Sequence, residues 1–183
     1  MTDSAVQIIN SLPGIEGKRY LELGVADRQT FDAIRAEKKT GVDIKDAGDD
    51  VYQMTTDEFF MSCDGRFDVV FIDACHDYLQ VLRDYNNAAE RCDGVVFLHD
   101  MVPPTEEYTA QHLCSDSYKL LAGLLETSLR VKVLDIDYGL TAVFRPMPLS
   151  PSPDLRELEY SEFRAMSLPL VSMDKMLEAV RSF

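Results

Sequence analysis

Short apolar runs alternate with stretches of helical periodicity along this chain. Residues 18–23, 40–44, 67–72 and 94–98 are rich in Leu, Val, Ile and Phe and end on polar residues. Runs of this length containing β-branched residues suit strands buried on both faces of a parallel sheet. Between them, residues 28–38 place Phe31, Ile34 and Arg35 at helical spacing. Thr55 and Glu58 fit a reciprocal helix cap, opening a short helix through Phe59, Phe60 and Met61. Asp77 can cap a helix in which Tyr78, Leu82, Tyr85 and Ala89 form one stripe. Residues 130–136 and 140–145 flank Asp137-Tyr138-Gly139, the pattern of an antiparallel hairpin. Strand–helix alternation of this kind predicts an α/β domain with right-handed crossovers.

Four prolines between 146 and 153 mark a linker or surface wrap. Residues 173–180 beyond it read as an amphipathic helix that could close over a site or pack on a partner chain. The expected organisation is a main unit over 1–146, with the proline-rich linker and helical tail over 147–183 belonging to the same domain. The length, 183 residues, suits one domain.

Charge narrows the partners. Asp and Glu number 32 against 18 Lys and Arg, a net charge of −14. Nucleic acid wants clustered cations, and an anionic membrane surface wants them too; this chain has no such cluster. A small-molecule substrate is the expected partner, with a homodimer left open by the tail helix. Cys63, Cys75, Cys92 and Cys114 form no C-x-x-C pair and no metal-ligand spacing. The opening Met1-Thr2-Asp3-Ser4 has neither the basic nor the apolar region of a signal peptide. Reduced thiols and a cytoplasmic location are therefore expected.

Ligands of open parallel sheets bind beyond the carboxyl ends of the strands. The residues there are Glu22 to Arg28, Asp43, Asp73 to His76, and His99-Asp100, so each strand end delivers a carboxylate. Gly24 lets backbone approach a ligand closely, although alone it is an ordinary turn residue. The G-x-G-x-x-G fingerprint of dinucleotide binding is missing. Asp43, 19 residues on at the next strand end, stands where an acid can accept both hydroxyls of a ribose. His76 follows Asp73 by three residues, and histidine is the natural general base near neutral pH. Asp73 and Asp100 side by side would repel unless one were protonated or a cation lay between them, and oxygen ligands suit Mg²⁺ or Ca²⁺. The plain alternative has Asp100 capping a turn while His99 packs. Phe59 and Phe60 are expected in the core, one of them bordering an adenine pocket.

Five segments in order, Glu22-Leu23-Gly24-Val25, Gly41-Val42-Asp43, Met54 to Phe60, Phe71 to Tyr78 and Val96 to Asp100, resemble the class I S-adenosylmethionine-dependent methyltransferases, in particular a small bacterial branch. The resemblance covers roughly residues 17–145. It implies a Rossmann-like, doubly wound, mostly parallel seven-stranded sheet with an antiparallel C-terminal hairpin strand. It implies S-adenosylmethionine contacts from Glu22, Gly24 and Ala26, Asp43 on the ribose, Asp57 near the adenine, and Asp73. It also implies an O-methyltransferase in which Asp73 and Asp100 help bind Mg²⁺ and His76 takes the proton from a hydroxyl, a sugar being one candidate acceptor. Arg28 stands where that family has glycine; its bulk would narrow the cofactor's carboxylate end, or its guanidinium would pair with that carboxylate. The alternatives are a non-catalytic binding or assembly protein on the same scaffold and a nucleotide-binding oxidoreductase. The acceptor pocket is expected from residues 103–116 and the tail after 146.

Overall fold

The computed structural model describes residues 3–150 and 152–183; Met1 and Thr2 of the N-terminal reading and Pro151 of the proline-rich stretch lie outside them. Eight strands form one sheet: β1 (Arg19–Leu23), β2 (Lys38–Asp43), β3 (Val51–Gln53), β4 (Phe67–Ile72), β5 (Cys92–Leu98), β6 (Arg130–Leu134), β7 (Leu140–Phe144) and β8 (Leu170–Val171). Their order is β3-β2-β1-β4-β5-β7-β6-β8, and β7 runs antiparallel to both β5 and β6. The eighth strand exceeds the seven expected. β8 pairs parallel with β6 through Val133 with Leu170 and Leu134 with Val171, covering an edge that would otherwise expose unpaired backbone.

Helices cover both faces: α1 (Asp3–Ile9), α2 (Gln29–Ala33), α3 (Thr56–Ser62), α4 (Tyr78–Arg91), α5 (Tyr118–Leu125), α6 (Pro153–Arg156), α7 (Tyr160–Ala165) and α8 (Met173–Arg181). Alternation along the strands divides the core. Leu21, Leu23, Val70, Ile72, Val96 and Leu98 pack with α3, α4 and α5. Tyr20, Val69, Phe71, Val95 and Phe97 pack with α1, α2 and α8. The α4 stripe is as the spacing predicts, with Tyr78, Leu82, Tyr85 and Ala89 all buried.

Three expectations change. The helix over 28–38 is only α2, because Ile34 turns extended at φ −70°, ψ 130° and β2 already begins at Lys38. The strand Val51–Gln53 was hidden because it is only three residues long and follows Asp49-Asp50. The tail helix does not cover the site: Met176, Leu177, Ala179 and Val180 are buried in the core shared with α1.

Candidate active site

The parallel register builds the site. Leu23 lies opposite Val42 on one side and Ile72 on the other, and Ile72 lies opposite Leu98. The next residue of each strand therefore falls in one row: Asp43, Gly24, Asp73, His99. Three hydrogen bonds carry the ladder past the strand ends, from Gly24 N–H to Val42 O at 2.8 Å, Asp73 N–H to Leu23 O at 2.8 Å, and His99 N–H to Ile72 O at 3.1 Å. Strand order reverses between β1 and β4, so the crevice opens at Gly24 and Asp73.

Two adjoining cavities occupy that crevice. One, of about 780 Å³, is bordered by Glu22, Asp27, Asp73, His76, His99 and Asp100 together with Tyr108, residues 111–114 and Tyr138. The other, of about 440 Å³, is bordered by Asp43, Ile44, Met54, Thr56, Asp57 and Gln80. Gly24, Ala26, Asp73, Ala74 and Cys75 border both. Cavities of this size accommodate cofactors and small ligands. Gly24, Asp43, Asp73 and Asp100 thus share one rim.

In the larger cavity, Asp73 Oδ1 lies 3.4 Å from His76 Nε2 and 3.2 Å from His99 Nδ1. Asp100 Oδ1 is 3.0 Å from His99 Nδ1, and its Oδ2 is 3.4 Å from His76 Nδ1. Burial works to raise the Asp73 carboxyl, but the two imidazoles outweigh it and hold it well below the usual carboxylate range. Burial pulls His99 down, yet Asp100 and Asp73 lift it to about 10. His76 is likewise pulled down by burial and raised on balance, chiefly by Asp73 and Asp100. His76 Nδ1 is 2.9 Å from the Leu113 carbonyl, which can only accept, so Nδ1 carries a proton there, while Nε2 faces Asp73 Oδ1. Asp100 is itself in the left-handed region at φ 59°, held there as Ser117 Oγ–H donates to its carbonyl at 2.5 Å. The Asp100 carboxylate faces the two imidazoles, and His99 packs edge-on against Phe71 with its ring in the acidic group.

Asp73, His76 and Asp100 offer ligand atoms within 4.8 Å of one another. Asp100 Oδ1 and His99 Nδ1 are buried without a well-directed hydrogen bond, despite their proximity. A buried carboxylate oxygen with no donor fits a divalent cation, and the mixed oxygen and nitrogen set suits Mg²⁺ or Mn²⁺ with an imidazole neighbour.

Glu22 borders the same cavity with its carboxyl inward and accepts from Tyr20 Oη–H at 2.5 Å. Burial pushes Glu22 up to about 8, partly opposed by that hydrogen bond. In the smaller cavity, Asp43 Oδ2 accepts from Ala26 N–H at 2.8 Å and its Oδ1 from Lys45 N–H at 2.7 Å. Asp57 pairs with Arg83 at 3.4 Å on the same wall.

Arg28 is the site residue the structure takes elsewhere. It borders neither cavity. Its guanidinium donates to Asp32, to Asp50 and to the Ala47 carbonyl. Its backbone nevertheless has φ 68°, the conformation glycine favours, so the turn survives the substitution while the side chain leaves the crevice. Two further expectations are corrected. Phe59 and Phe60 are core residues that border neither of these cavities, and Ile44 and Met54 supply the apolar wall instead. Of the two acceptor segments, 103–116 contributes Tyr108 and residues 111–114, whereas no residue after 146 reaches the cavity; Tyr160 only steadies the first segment through a hydrogen bond to Pro103 O at 3.0 Å. Gln80, Tyr108 and Tyr138 were missed. The Asp137-Tyr138-Gly139 turn carried the one available signal, but it pointed to a hairpin and not to a cavity wall.

Comparisons with known proteins bear on the fold that carries this site. A family model described as a methyltransferase domain matches residues 23–101. The fold is similar to a Podospora anserina methyltransferase solved with S-adenosylhomocysteine, at 20% identity and TM-score 0.50 over 69% of this chain and 70% of that one. It is similar to a Bacillus cereus O-methyltransferase in complex with S-adenosylhomocysteine, at 15% identity and TM-score 0.54 over 77% and 79%. It is also similar to MycE of the mycinamycin biosynthetic pathway, in complex with Mg and S-adenosylhomocysteine, at 14% identity and TM-score 0.53 over 79% of this chain and 49% of that one. No curated protein matches the chain. A methyltransferase-domain model thus matches residues 23–101, and over 69–79% of its length the chain shares its fold with these solved methyltransferases.

Proposed function

We propose that the protein transfers a methyl group from S-adenosylmethionine to a hydroxyl of a small molecule, with His76 as the general base. The observation that carries this reading is the common rim: a cavity suited to an adenosyl group meets, at Gly24 and Asp73, a cavity holding the His76 imidazole, with Nδ1 on the Leu113 carbonyl and Nε2 beside Asp73. Asp43 would accept the ribose hydroxyls, and Ile44, Met54 and Asp57 would face the adenine. Bound there, S-adenosylmethionine supplies an electrophilic sulfonium methyl. His76 Nε2 takes the acceptor's proton as the acceptor oxygen bonds the methyl carbon; the carbon–sulfur bond breaks with its pair returning to sulfur. The products are a methyl ether and S-adenosylhomocysteine. Positioning of the two reactants supplies much of the rate.

Asp73 and Asp100 would hold a divalent cation, which lowers the pKa of a bound hydroxyl. An ion held by these two alone leaves Nε2 of His76 for the proton; an ion that also took His76 would remove the base. No helix among the described residues is long and apolar enough to cross a membrane. The four unpaired cysteines fit a reducing compartment, so cytoplasmic residence is part of the proposal.

The test is transfer of a labelled methyl group to a pool of small hydroxylated compounds, with and without Mg²⁺. His76→Gln should lower transfer by about 10²–10⁴-fold while leaving S-adenosylhomocysteine affinity within about twofold. Unchanged transfer would remove the base, and metal binding lost in His76→Gln would make His76 a ligand instead.

A further inference from the structure

Behind the wall of the smaller cavity lies a carboxyl that the proposed reaction does not use. Asp84 follows Gln80 by one turn of α4 and is fully buried; its Oδ1 accepts from Gln80 Nε2 at 3.1 Å, and its Oδ2 has no partner. Gln80 borders the cavity itself, beside Thr56 and Asp57. Its Nε2 lies 3.2 Å from Thr56 Oγ1 and 3.4 Å from Asp57 Oδ1, and its Oε1 accepts from Arg83 Nη2. Those partners decide which end of the amide is nitrogen, because a reversed amide would set its oxygen against two carboxyl groups. A side-chain amide has two N–H groups. Three oxygens therefore compete for two protons.

Asp84 decides the competition. A hydrogen bond to an ionised acceptor is roughly twice as strong as a neutral one, and a buried charge without donors is costly. Ionised Asp84 therefore draws on Gln80 and Thr56, the two hydrogen-bonding groups that favour its charge. Asp57 Oδ1 is the oxygen left over: its contact with Gln80 is the longest of the three, and Arg83 Nε stands 3.5 Å away. When Asp84 is neutral, the charged acceptor within reach of the amide is Asp57, and the amide turns to it. Of the charges around Asp84, Asp57 opposes its ionisation and Arg83 supports it. Glu58 on α3 is turned back onto Thr55, and Arg91 on α4 onto the Phe60 and Cys63 carbonyls. β4, β5 and α5 supply apolar side chains to the core beneath α4.

We infer that Gln80 and Asp84 are positioning residues of the cofactor pocket: ionised Asp84 claims the Gln80 amide and so leaves Asp57 Oδ1 to accept from the exocyclic amine of an adenine ring. This inference rests on the reading of the smaller cavity as the adenosyl site. Burial pushes the Asp84 carboxyl up to about 6, so the exchange falls within an accessible pH range. Above that value Asp57 is available to the ring, and below it Asp57 is engaged by Gln80. A cofactor that prefers the ionised form loses apparent affinity as that form is depleted.

The experiment titrates S-adenosylhomocysteine into the full chain by calorimetry at about pH 7.5 and about pH 5. Between the two, the wild type should lose at least about fivefold more affinity than Asp84→Asn, whose side chain cannot ionise. Glu22 and the histidines of the larger cavity are common to both proteins and cancel in that comparison. Gln80→Met, which keeps the length of the side chain and removes the amide, should behave as Asp84→Asn does. S-Inosylhomocysteine, which carries an oxygen in place of the exocyclic amine, should show no difference between the wild type and Asp84→Asn. Equal pH dependence in the wild type and either variant, or the same wild-type excess with the inosyl compound, would overturn the inference. Binding at pH 7.5 without the predicted difference removes the positioning role alone; no binding at either pH removes the adenosyl site and the inference with it.

Discussion

Gly24 and Asp73 meet backbone to backbone at the switch point of the sheet. A Cβ built on Gly24 would lie 2.1 Å from the Asp73 carbonyl oxygen and 2.6 Å from its carbon, and Gly24 has φ +86°. No rotamer change relieves a clash with backbone, so glycine is required twice over, by conformation and by space. The close approach also brings the first strand's turn against the strand end that carries the base.

Gly24→Ala should accordingly lower stability by about 2–4 kcal/mol and abolish S-adenosylhomocysteine binding. Thermal melts and calorimetry check both. A variant with unchanged melting temperature would show that the two turns can separate freely.

Arg28→Gly tests the turn from the other side. Glycine accepts φ 68° without strain, and the guanidinium it removes is directed at Asp32, Asp50 and Ala47. S-Adenosylhomocysteine affinity should stay within about threefold of wild type, since exposed ion pairs of this kind contribute little. A tenfold loss would place the guanidinium on the cofactor after all.

Asp84 on α4 gives the pH dependence. Its side chain is fully buried, its Oδ1 accepts from Gln80 at 3.1 Å, and its Oδ2 has no partner. Burial pushes its carboxyl up to about 6 from 3.8. A folded-state value above the unfolded one means stability present below about 3.8 and lost as pH rises through about 6. The loss is at most about 3 kcal/mol. Asp84→Asn should therefore melt higher than wild type at pH 8 and close to it at pH 4. A variant less stable than wild type at pH 8 would contradict the assignment. Gln80 also reaches Thr56 and Asp57 at 3.2 and 3.4 Å, so this pair braces the wall of the smaller cavity.

The strands that build the rim were legible because β4 and β5 hold continuous apolar runs and β1 carries Leu21 and Leu23 just before Gly24, and their register then places the residue after each in one row. Thr55 with Glu58, and Asp77, were legible for the same reason: a cap declares itself locally, and both form as expected. β3 and β8 were not legible. Tyr52 and Leu170 are exposed on edge strands, where pairing depends on a neighbour and not on a hydrophobic pattern. At the site, Asp43, Asp73, His76 and Asp100 stood at strand ends and could be found by position. Tyr108 and Tyr138 could not, because they lie 30 residues apart in irregular chain and meet only through tertiary packing. The direction of the Arg28 side chain depended on Asp50, which no local pattern ties to it.

The central claim is that the crevice along Asp43, Gly24 and Asp73 binds an adenosyl cofactor. Titration of S-adenosylhomocysteine into the purified protein, followed by heat, tests it most directly. One site per chain is expected, weakened at least about tenfold in Asp43→Asn by loss of the charged acceptor for the ribose hydroxyls. Absence of heat at millimolar ligand, or equal affinity in the wild type and Asp43→Asn, would contradict it.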